Sequence, residues 1–437
     1  MSARFVDQEV TQQLPAALQS WLRLERYHLH KPDIFFDTAR DPCFDVRYLP
    51  LNSRPFLLPC YWVPRRHLFV VARGESDEQF SLGVAARNCD EILFPIHPTA
   101  LDRYRDFLSD VGARDVSLEV RLWAVPTSSI RTLLVWPDGQ ADRARFVKTS
   151  LLARIVGERP VSRMRVARAI GFAQIIEAAS GTLPENLHFI AETGGFSPRH
   201  GLDAGAIVRP VPQEIFSGQT HVAPLFSLIG GEGEHVPLLL RMLQKTAEPP
   251  LQFVDDMLCA SFASVWVETA LRHGLILEAH AQDLLLGLSA DGMPTGHWYY
   301  RDFEGLQVDW RLRRACGHPP PDDLPHAWVW RETYDTLGHR YCDFVWYKWR
   351  TSLQHYLHHV LNEIEISLRR WHERGLIDGP DIQPGELTLR FSRHLFDAVA
   401  GHFDVAAGPR YNINGALNRF LASVFELRKT WLRLRSG

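Results

Sequence analysis

The sequence predicts a mixed fold, with antiparallel strands in the middle of the chain and helices in its C-terminal third. Residues 116–125 alternate apolar and polar side chains, a period typical of a strand with one buried face. Two further strand-like runs flank Asp291-Gly292, a dipeptide that favours a tight hairpin turn. Residues 162–180 and 251–273 instead repeat their apolar side chains at helical spacing.

The other elements follow from local signals along the chain. Residues 6–28 are amphipathic at helical spacing, and Pro15 either kinks this helix or marks its start. Residues 34–74 are strand-like and interrupted by prolines, and Thr99 is placed to cap a helix over residues 100–109. The remaining predictions are strands at 130–136, 143–152, 187–192 and 205–210, and helices at 237–245, 340–374, 387–400 and 414–435.

Composition limits the class of protein. The chain has 437 residues, which suits two or three domains or one large α/β unit. A formal net charge of −3 argues against general binding of nucleic acid, and no apolar run of about 18 residues predicts a membrane span. The six cysteines form no C-x-x-C pair, and the N-terminus lacks a signal-peptide core, so we expect a cytoplasmic protein.

One short stretch concentrates groups that carry chemistry. Glu278, His280 and Gln282 lie two residues apart, so on an extended strand their side chains would share one face. If the hairpin closes at Asp291-Gly292, Asp302 returns opposite residues 281–283. Carboxylates grouped in this way either bind magnesium or form surface salt bridges. The candidate magnesium ligands are Glu278, Asp283, Asp302 and Glu304.

A second polar group begins a predicted strand. Ser129, Arg131 and Thr132 supply hydroxyls and a guanidinium that suit a phosphate or a carboxylate, although a polar turn is the simpler interpretation. A turn centred on Asp138-Gly139 would place Lys148 opposite Ser129 and favours the phosphate site. No Walker P-loop motif is present.

Two further sets of residues have weaker patterns. The basic run that contains Arg159 and Arg163 predicts a solvated face, with room for one arginine to turn toward an anion. His355, His358 and His359 lie on one side of a predicted helix, where plain packing or a solvated face is favoured over metal binding. The absence of a G-x-S-x-G motif argues against a hydrolase of that type.

The order of these motifs resembles that of the NRPS-independent siderophore synthetases, the aerobactin-synthetase family. The matching residues are Ser129-x-Arg131-Thr132, Lys148, Glu278-Ala-His-x-Gln282 and Arg301-Asp-Phe-Glu-Gly305. Phe94-Pro-Ile-His-Pro98 is similar to a degenerate form of the family's His-Pro-x-His-Pro segment. The similarity spans roughly residues 90–430.

The resemblance implies an α+β fold shaped like a cupped hand, with a central antiparallel sheet and a helical C-terminal domain. It divides the chain into a shortened N-terminal region (1–90), an ATP- and carboxylate-binding region (91–310) and a mostly helical region (311–437). It also implies a homodimer. The expected activity is a ligase that uses ATP and Mg²⁺, adenylates citrate or a related polycarboxylate, and joins it to an amine or hydroxyl.

The resemblance also implies roles for individual residues. The catalytic residues would be His280, Arg131 and Lys148. Contacts to ATP would come from Ser129, Arg131, Thr132, Lys148, His280, Gln282 and Asp283. The metal ligands would be Glu278, Asp302, Asp283 and Glu304. The carboxylate of the substrate would contact Arg163, His97 and Arg159.

The chain departs from the family pattern at several positions. It is short, and Phe94, Leu101 and Asp283 stand where the family has His, Lys and Asn. The family's arginine beyond the lysine falls on Pro160, so Arg159 or Arg163 is expected to replace it. Two other functions remain open: an acyl-adenylate ligase outside iron uptake, and a nucleotide-binding relative without turnover.

Overall fold

The computed structural model describes residues 8–29, 45–73, 82, 84, 90–151, 160–231, 236–303, 305–308, 313, 317, 318 and 352–404. Within these ranges, no helix combines the length and apolar character needed to cross a membrane. The predicted helix 414–435, the first part of the predicted helix 340–374, Arg159 and Glu304 lie outside them. The helices are α1 (Ala16–Tyr27), α2 (Leu101–Asp110), α3 (Ser117–Val120), α4 (Arg163–Ala179), α5 (Gln213–Phe216), α6 (Leu238–Leu243), α7 (Pro250–Val254), α8 (Ser261–His273), α9 (Asn362–Glu373) and α10 (Glu386–Asp404).

Within the described residues, the strands form four sheets. They are β1 (Phe56–Leu57), β2 (Cys60–Pro64), β3 (Leu68–Ala72), β4 (Glu91–Pro95), β5 (Arg114–Asp115), β6 (Leu122–Pro126), β7 (Thr132–Pro137), β8 (Arg145–Thr149), β9 (Leu187–Phe189), β10 (Gly194–Pro198), β11 (Ala206–Pro210), β12 (His221–Pro224), β13 (Leu275–Ile276), β14 (Leu284–Leu288), β15 (Pro294–Tyr300) and β16 (Gln307–Val308). The seven-stranded sheet has the order β1-β6-β7-β8-β11-β10-β3, and the four-stranded sheet has the order β12-β14-β15-β9. Smaller sheets pair β13 with β16 and place β2 between β4 and β5.

The predicted antiparallel meander is present as β6, β7 and β8, but two details differ. The first half of residues 116–125 is not a strand, because residues 117–120 form the short helix α3. Lys148 pairs with Thr132 and not with Ser129. The cause is a 3-10 turn at Ala141–Arg143, which lengthens the β7–β8 connection beyond a tight turn at Gly139.

The predicted hairpin is confirmed as β14 and β15. Gly292 adopts a φ of 82°, a left-handed conformation that glycine tolerates without a steric penalty. Leu284 pairs with Tyr300, which sets the register that brings Asp302 opposite Gln282. The expectation of a strand at residues 278–283 was wrong. The Asp283 N–H donates to the His280 carbonyl at 3.1 Å, so this segment bends into a turn before β14.

Other parts of the chain complete the layers around the sheets. Pro15 immediately precedes α1, which confirms the second of its two predicted roles. Residues 193–203, between the predicted strands at 187–192 and 205–210, contain β10, whose apolar side chains and glycines gave little alternation. Residues before position 73 supply β1 and β3, the two edge strands of the seven-stranded sheet. The three-part division of the chain stays a prediction.

The apolar core lies on both faces of the seven-stranded sheet. On one face, Val135 and Val147 join the largest cluster, which extends to α8 and α10. On the other face, Trp136 and Phe146 pack with Trp21 of α1 and with the four-stranded sheet. This second face therefore places the seven-stranded sheet next to the ends of β14 and β15, where the predicted polar residues lie.

Candidate functional site

A buried ion pair connects the two predicted polar groups. Lys148 Nζ donates to both carboxylate oxygens of Asp302, at 2.8 and 2.7 Å, and the lysine side chain is only 3% exposed. Burial disfavours the ionised form of Asp302, but Lys148, Arg209 and Arg131 together outweigh it. They hold the pKa of this carboxyl well below its usual range. Asp302 therefore remains ionised at neutral pH.

The strand register explains why these cations converge. Thr132 and Lys148 are directly paired on β7 and β8, and Lys148 is paired with Ile207 on β11. Directly paired residues of antiparallel strands share a face, and so do residues two apart on one strand. Thr132, Lys148 and Arg209 consequently lie on the same face of three neighbouring strands.

Arg209 and Glu192 form a second buried pair that the sequence analysis missed. Arg209 NH2 donates to Glu192 Oε1 at 2.5 Å, and both side chains are less than a tenth exposed. Burial raises the pKa of Glu192, while Arg209 opposes this rise and Asp302 adds to it. The sequence did contain a signal for this pair, because Arg209 is a single charged residue within the apolar strand β11. A buried charge requires a partner.

The loop between β6 and β7 is closed by its own hydrogen bonds. The backbone N–H and the hydroxyl of Thr127 both donate to the Thr132 carbonyl, at 2.9 and 2.8 Å. The Thr132 N–H donates to the Ser129 carbonyl at 2.8 Å. Ile130 has a φ of 21°, which is unfavourable for a β-branched residue and indicates local strain. The loop therefore holds Ser129, Arg131 and Thr132 in a fixed arrangement.

Glu25 of α1 anchors this loop, although the sequence did not point to it. Its buried carboxylate accepts from the Ser128 hydroxyl at 2.6 Å and from the Trp21 indole N–H at 3.0 Å. It also forms an ion pair with Arg301 at 2.5 Å, in which the two side chains are 1% and 6% exposed. Helix α1 is therefore joined to the segment that carries Asp302.

The same network fixes Gln282. Its side-chain amide donates to the Ser128 hydroxyl at 3.0 Å. Its backbone carbonyl accepts from Arg301 Nε and NH2 at 3.0 and 2.8 Å. The Arg301 N–H donates to the Asp283 carbonyl at 3.0 Å, which continues the hairpin register past β14 and β15. Arg301 thus holds the turn at residues 281–283 against the loop that contains Ser128.

His280 is held in one tautomer. Its Nδ1 accepts from the Gln282 backbone N–H at 3.2 Å, so the ring proton of the neutral imidazole is on Nε2. Burial lowers the pKa of His280 to about 4, with further lowering by His355 and His359 and a smaller opposing effect of Asp302. His280 is therefore a neutral hydrogen-bond donor at physiological pH.

Three predicted carboxylates lie close enough to repel one another. Burial raises the pKa of Asp283 well above its usual value, and Asp302 and Glu278 raise it further. Gly305 leaves room for Glu278, since a Cβ there would lie 1.9 Å from Glu278 Oε2. A divalent cation would relieve this repulsion. Even so, no three His, Cys, Asp or Glu side chains in the described part of the chain are grouped as metal ligands.

Two residues predicted to contact the substrate carboxylate lie in other surroundings. His97 is fully buried against the rings of Tyr48 and Phe56, and its Nδ1 accepts from the Thr99 N–H at 3.3 Å. Burial lowers the pKa of His97 to about 3. Arg163 is exposed at the start of α4, with its guanidinium 4.9 Å from the centroid of the Phe69 ring.

The helical histidines divide between the two surroundings that the sequence favoured, packing and a solvated face. His358 and His359 are exposed, as a solvated face predicts. His355 instead meets His280 edge to face, with ring centroids 5.6 Å apart. The spacing along one helix could not show this contact, because it depends on how the helix packs against residues 277–283.

Comparison with solved structures identifies the fold. Aerobactin synthetase IucC from Klebsiella pneumoniae is 16% identical, with a TM-score of 0.61 over 91% of this chain and 76% of that one. The ATP-bound aerobactin synthetase IucA from the same organism is 19% identical, with a TM-score of 0.62 over 90% of this chain and 73% of that one. The petrobactin biosynthesis protein AsbB from Bacillus anthracis is 15% identical, with a TM-score of 0.61 over 88% and 65%.

The chain has the siderophore-synthetase fold. No model of a known protein family matches it, and no curated protein sequence does. The siderophore-synthetase fold confirms the α+β class and the resemblance drawn from the motifs, and the chain is shorter than these three structures, as expected.

Proposed function

We propose that the chain is an ATP-dependent siderophore synthetase. It adenylates one carboxylate of citrate or a related polycarboxylic acid, then condenses the acyl group with an amine or hydroxyl and releases AMP and pyrophosphate. The observation that carries this proposal is the convergence of Arg131, Lys148 and Arg209 on Asp302, whose charge also acts on the neutral donor His280. Cations and donors that are held in place before the ligand arrives are what a triphosphate requires.

The residues present suit the phosphates of ATP. Lys148 and Arg131 supply positive charge, while Ser129 and Thr132 supply hydroxyl donors at the rim of the same loop. The Nε2 proton of His280 would donate to an oxygen of the α-phosphate or of the attacking carboxylate. Because His280 stays neutral at physiological pH, it adds a hydrogen bond without a charge that would change with pH.

Magnesium would be held by the carboxylates that now repel one another. Asp302 has a second role in this proposal, since it is shared between Lys148 and the metal. Glu278 and Asp283 would complete the protein ligands, with Glu304 as a further candidate. The ion would neutralise negative charge on the phosphates, and carboxylate oxygens are the hard ligands that Mg²⁺ prefers.

The chain's own groups can support the first chemical step. A substrate carboxylate attacks the α-phosphorus, and negative charge grows on the phosphoryl oxygens and on the departing pyrophosphate. Arg131 and Lys148 stabilise this charge, and His280 orients the attacking oxygen. Arg163 or Arg159 would bind a second carboxylate of the acid, which would favour polycarboxylates over simple acids.

Carboxylate-dependent exchange of labelled pyrophosphate into ATP tests the proposal directly. We expect exchange with citrate or a close analogue and Mg²⁺, and a loss of about 10²–10³-fold in Arg131→Ala and His280→Ala, the effect of removing one transition-state donor. Arg105→Ala is the matched control, because Arg105 is exposed and pairs with Asp102 at the surface. Absence of exchange with every polycarboxylate tried would sink the enzyme proposal. ATP binding without exchange would instead favour the relative without turnover.

A further inference from the structure

Three imidazoles form a row that leads from the candidate site toward solvent. We call this the histidine row: His280, His355 and His359. The ring centroids of His280 and His355 are 5.6 Å apart, and those of His355 and His359 are 5.5 Å apart. His355 is half-buried and His359 is exposed. At these separations, ring nitrogens of neighbouring histidines can be linked by one hydrogen bond or one water.

The helix that carries two of these histidines is irregular at this point. Leu357–Leu361 form a π-helical turn between His355 and the start of α9. Such turns are rare, cost some hydrogen-bond quality and occur often at functional sites. His355 Nδ1 is shielded from solvent and has no hydrogen-bond partner among the described residues. A buried nitrogen without a partner costs free energy, and a ligand that pairs with it recovers this cost.

The second half of the proposed reaction needs a proton acceptor that His280 does not provide. The His280 Nδ1 already accepts from the Gln282 N–H, and its Nε2 carries the proton. His280 is therefore a donor in this geometry. The nitrogen or oxygen that attacks an acyl adenylate must lose a proton as the new bond forms. His355 is the adjacent imidazole, and His359 continues the path to water.

We propose that His355 accepts the proton of the attacking amine or hydroxyl and passes it through His359 to solvent. This inference rests on the proposed function. The lone pair of the nucleophile attacks the acyl carbon, and a C–N or C–O bond forms. The bond from that carbon to the AMP oxygen breaks, and AMP leaves with the electron pair. The proton of the nucleophile moves to His355, then to His359, then to water.

The test separates the two half-reactions in the full-length chain. The variant is His355→Asn, with His355→Gln as a second variant, and both are first checked for wild-type thermal unfolding. We expect pyrophosphate exchange within about 2-fold of wild type, while kcat for condensation with an alkylamine falls about 10²–10⁴-fold, the usual contribution of a general base. His358→Asn is the matched control, since His358 is exposed one turn from His355 and outside the row.

Hydroxylamine provides a readout that a purely structural role would not change. It is mostly unprotonated at neutral pH, whereas an alkylamine is mostly protonated, as the lysine pKa of about 10.4 indicates. We therefore expect the His355 variants to retain much more of their turnover with hydroxylamine than with the alkylamine.

The possible results are separable. Equal losses in exchange and in both condensations would overturn the role of His355 and leave the proposed function intact. A wild-type chain that exchanges with no acid would overturn both. A His355 variant that condenses alkylamine at the wild-type rate would refute the proton transfer directly. If both His355 variants unfold, the same measurement is made on His359→Asn. We expect a smaller loss in alkylamine condensation for this variant, and no loss would refute the path.

Discussion

Removal of Glu25 is expected to destabilise the whole chain and not only α1. Glu25→Ala leaves the Arg301 guanidinium buried without its carboxylate, and the Ser128 hydroxyl and Trp21 indole lose an acceptor. Removing one partner of a buried ion pair typically costs about 3–5 kcal/mol. The matched control is Glu268→Ala, which breaks an exposed pair with Arg272 and should cost at most about 1 kcal/mol.

The free energy of unfolding is measured from urea denaturation of the full chain, at pH 7 and constant salt. A double variant, Glu25→Ala with Arg301→Ala, distinguishes an unpaired charge from lost packing. We expect the double variant to be less destabilised than the sum of its parts, with a coupling of about 1–3 kcal/mol. A Glu25→Ala cost no larger than that of Glu268→Ala, or strict additivity in the double variant, would refute the reasoning.

Three more outcomes follow from the site. Lys148→Met removes the partner of Asp302 and should lower pyrophosphate exchange about 10²–10³-fold; an unchanged rate argues against a phosphate contact. Gly305→Ala displaces the Glu278 carboxylate, so exchange should need several-fold more Mg²⁺ in a metal titration. An unchanged Mg²⁺ requirement would show that Glu278 is not a ligand. The pKa of His280 is lowered to about 4 in the folded chain. Between pH 6.5 and 4, His280 therefore binds a proton in the unfolded chain but not in the folded chain. Acidification over this window should therefore lower the free energy of unfolding, measured by urea denaturation, more in wild type than in His280→Asn. Equal decreases in the two proteins would contradict the lowered pKa.

Local turn signals explain the part of the site that was predictable. The Asp291-Gly292 turn predicted the hairpin of β14 and β15, and an irregularity in the pairing between Leu286 and Leu288 shifts the register so that Asp302 lies opposite Gln282. The motif residues of the seven-stranded sheet and of the hairpin were recognisable by type. The ion pair between Lys148 and Asp302 was not predicted, because it depends on how β8 packs against the end of β15.

The unpredicted part depends on contacts that local patterns do not encode. Glu25 lies within an amphipathic helix, where a charged residue normally predicts a solvent-facing position, yet it is 1% exposed. Arg209 and Glu192 are 17 residues apart and have no shared motif. Alternation at residues 278–282 was mistaken for a strand, because the same two-residue spacing occurs in a segment bent by hydrogen bonds between its own backbone groups.

The long sequence separations within the site bear on how the chain matures. Ser128 meets Glu25 across 103 residues, and Lys148 meets Asp302 across 154. Contacts of this kind carry a loop-closure cost and tend to form slowly. During synthesis, the cation cluster lacks its carboxylate until Asp302 has left the ribosome. The proposed nucleotide affinity should therefore appear late and abruptly, which would make it a reporter of completed folding and not of partly structured intermediates.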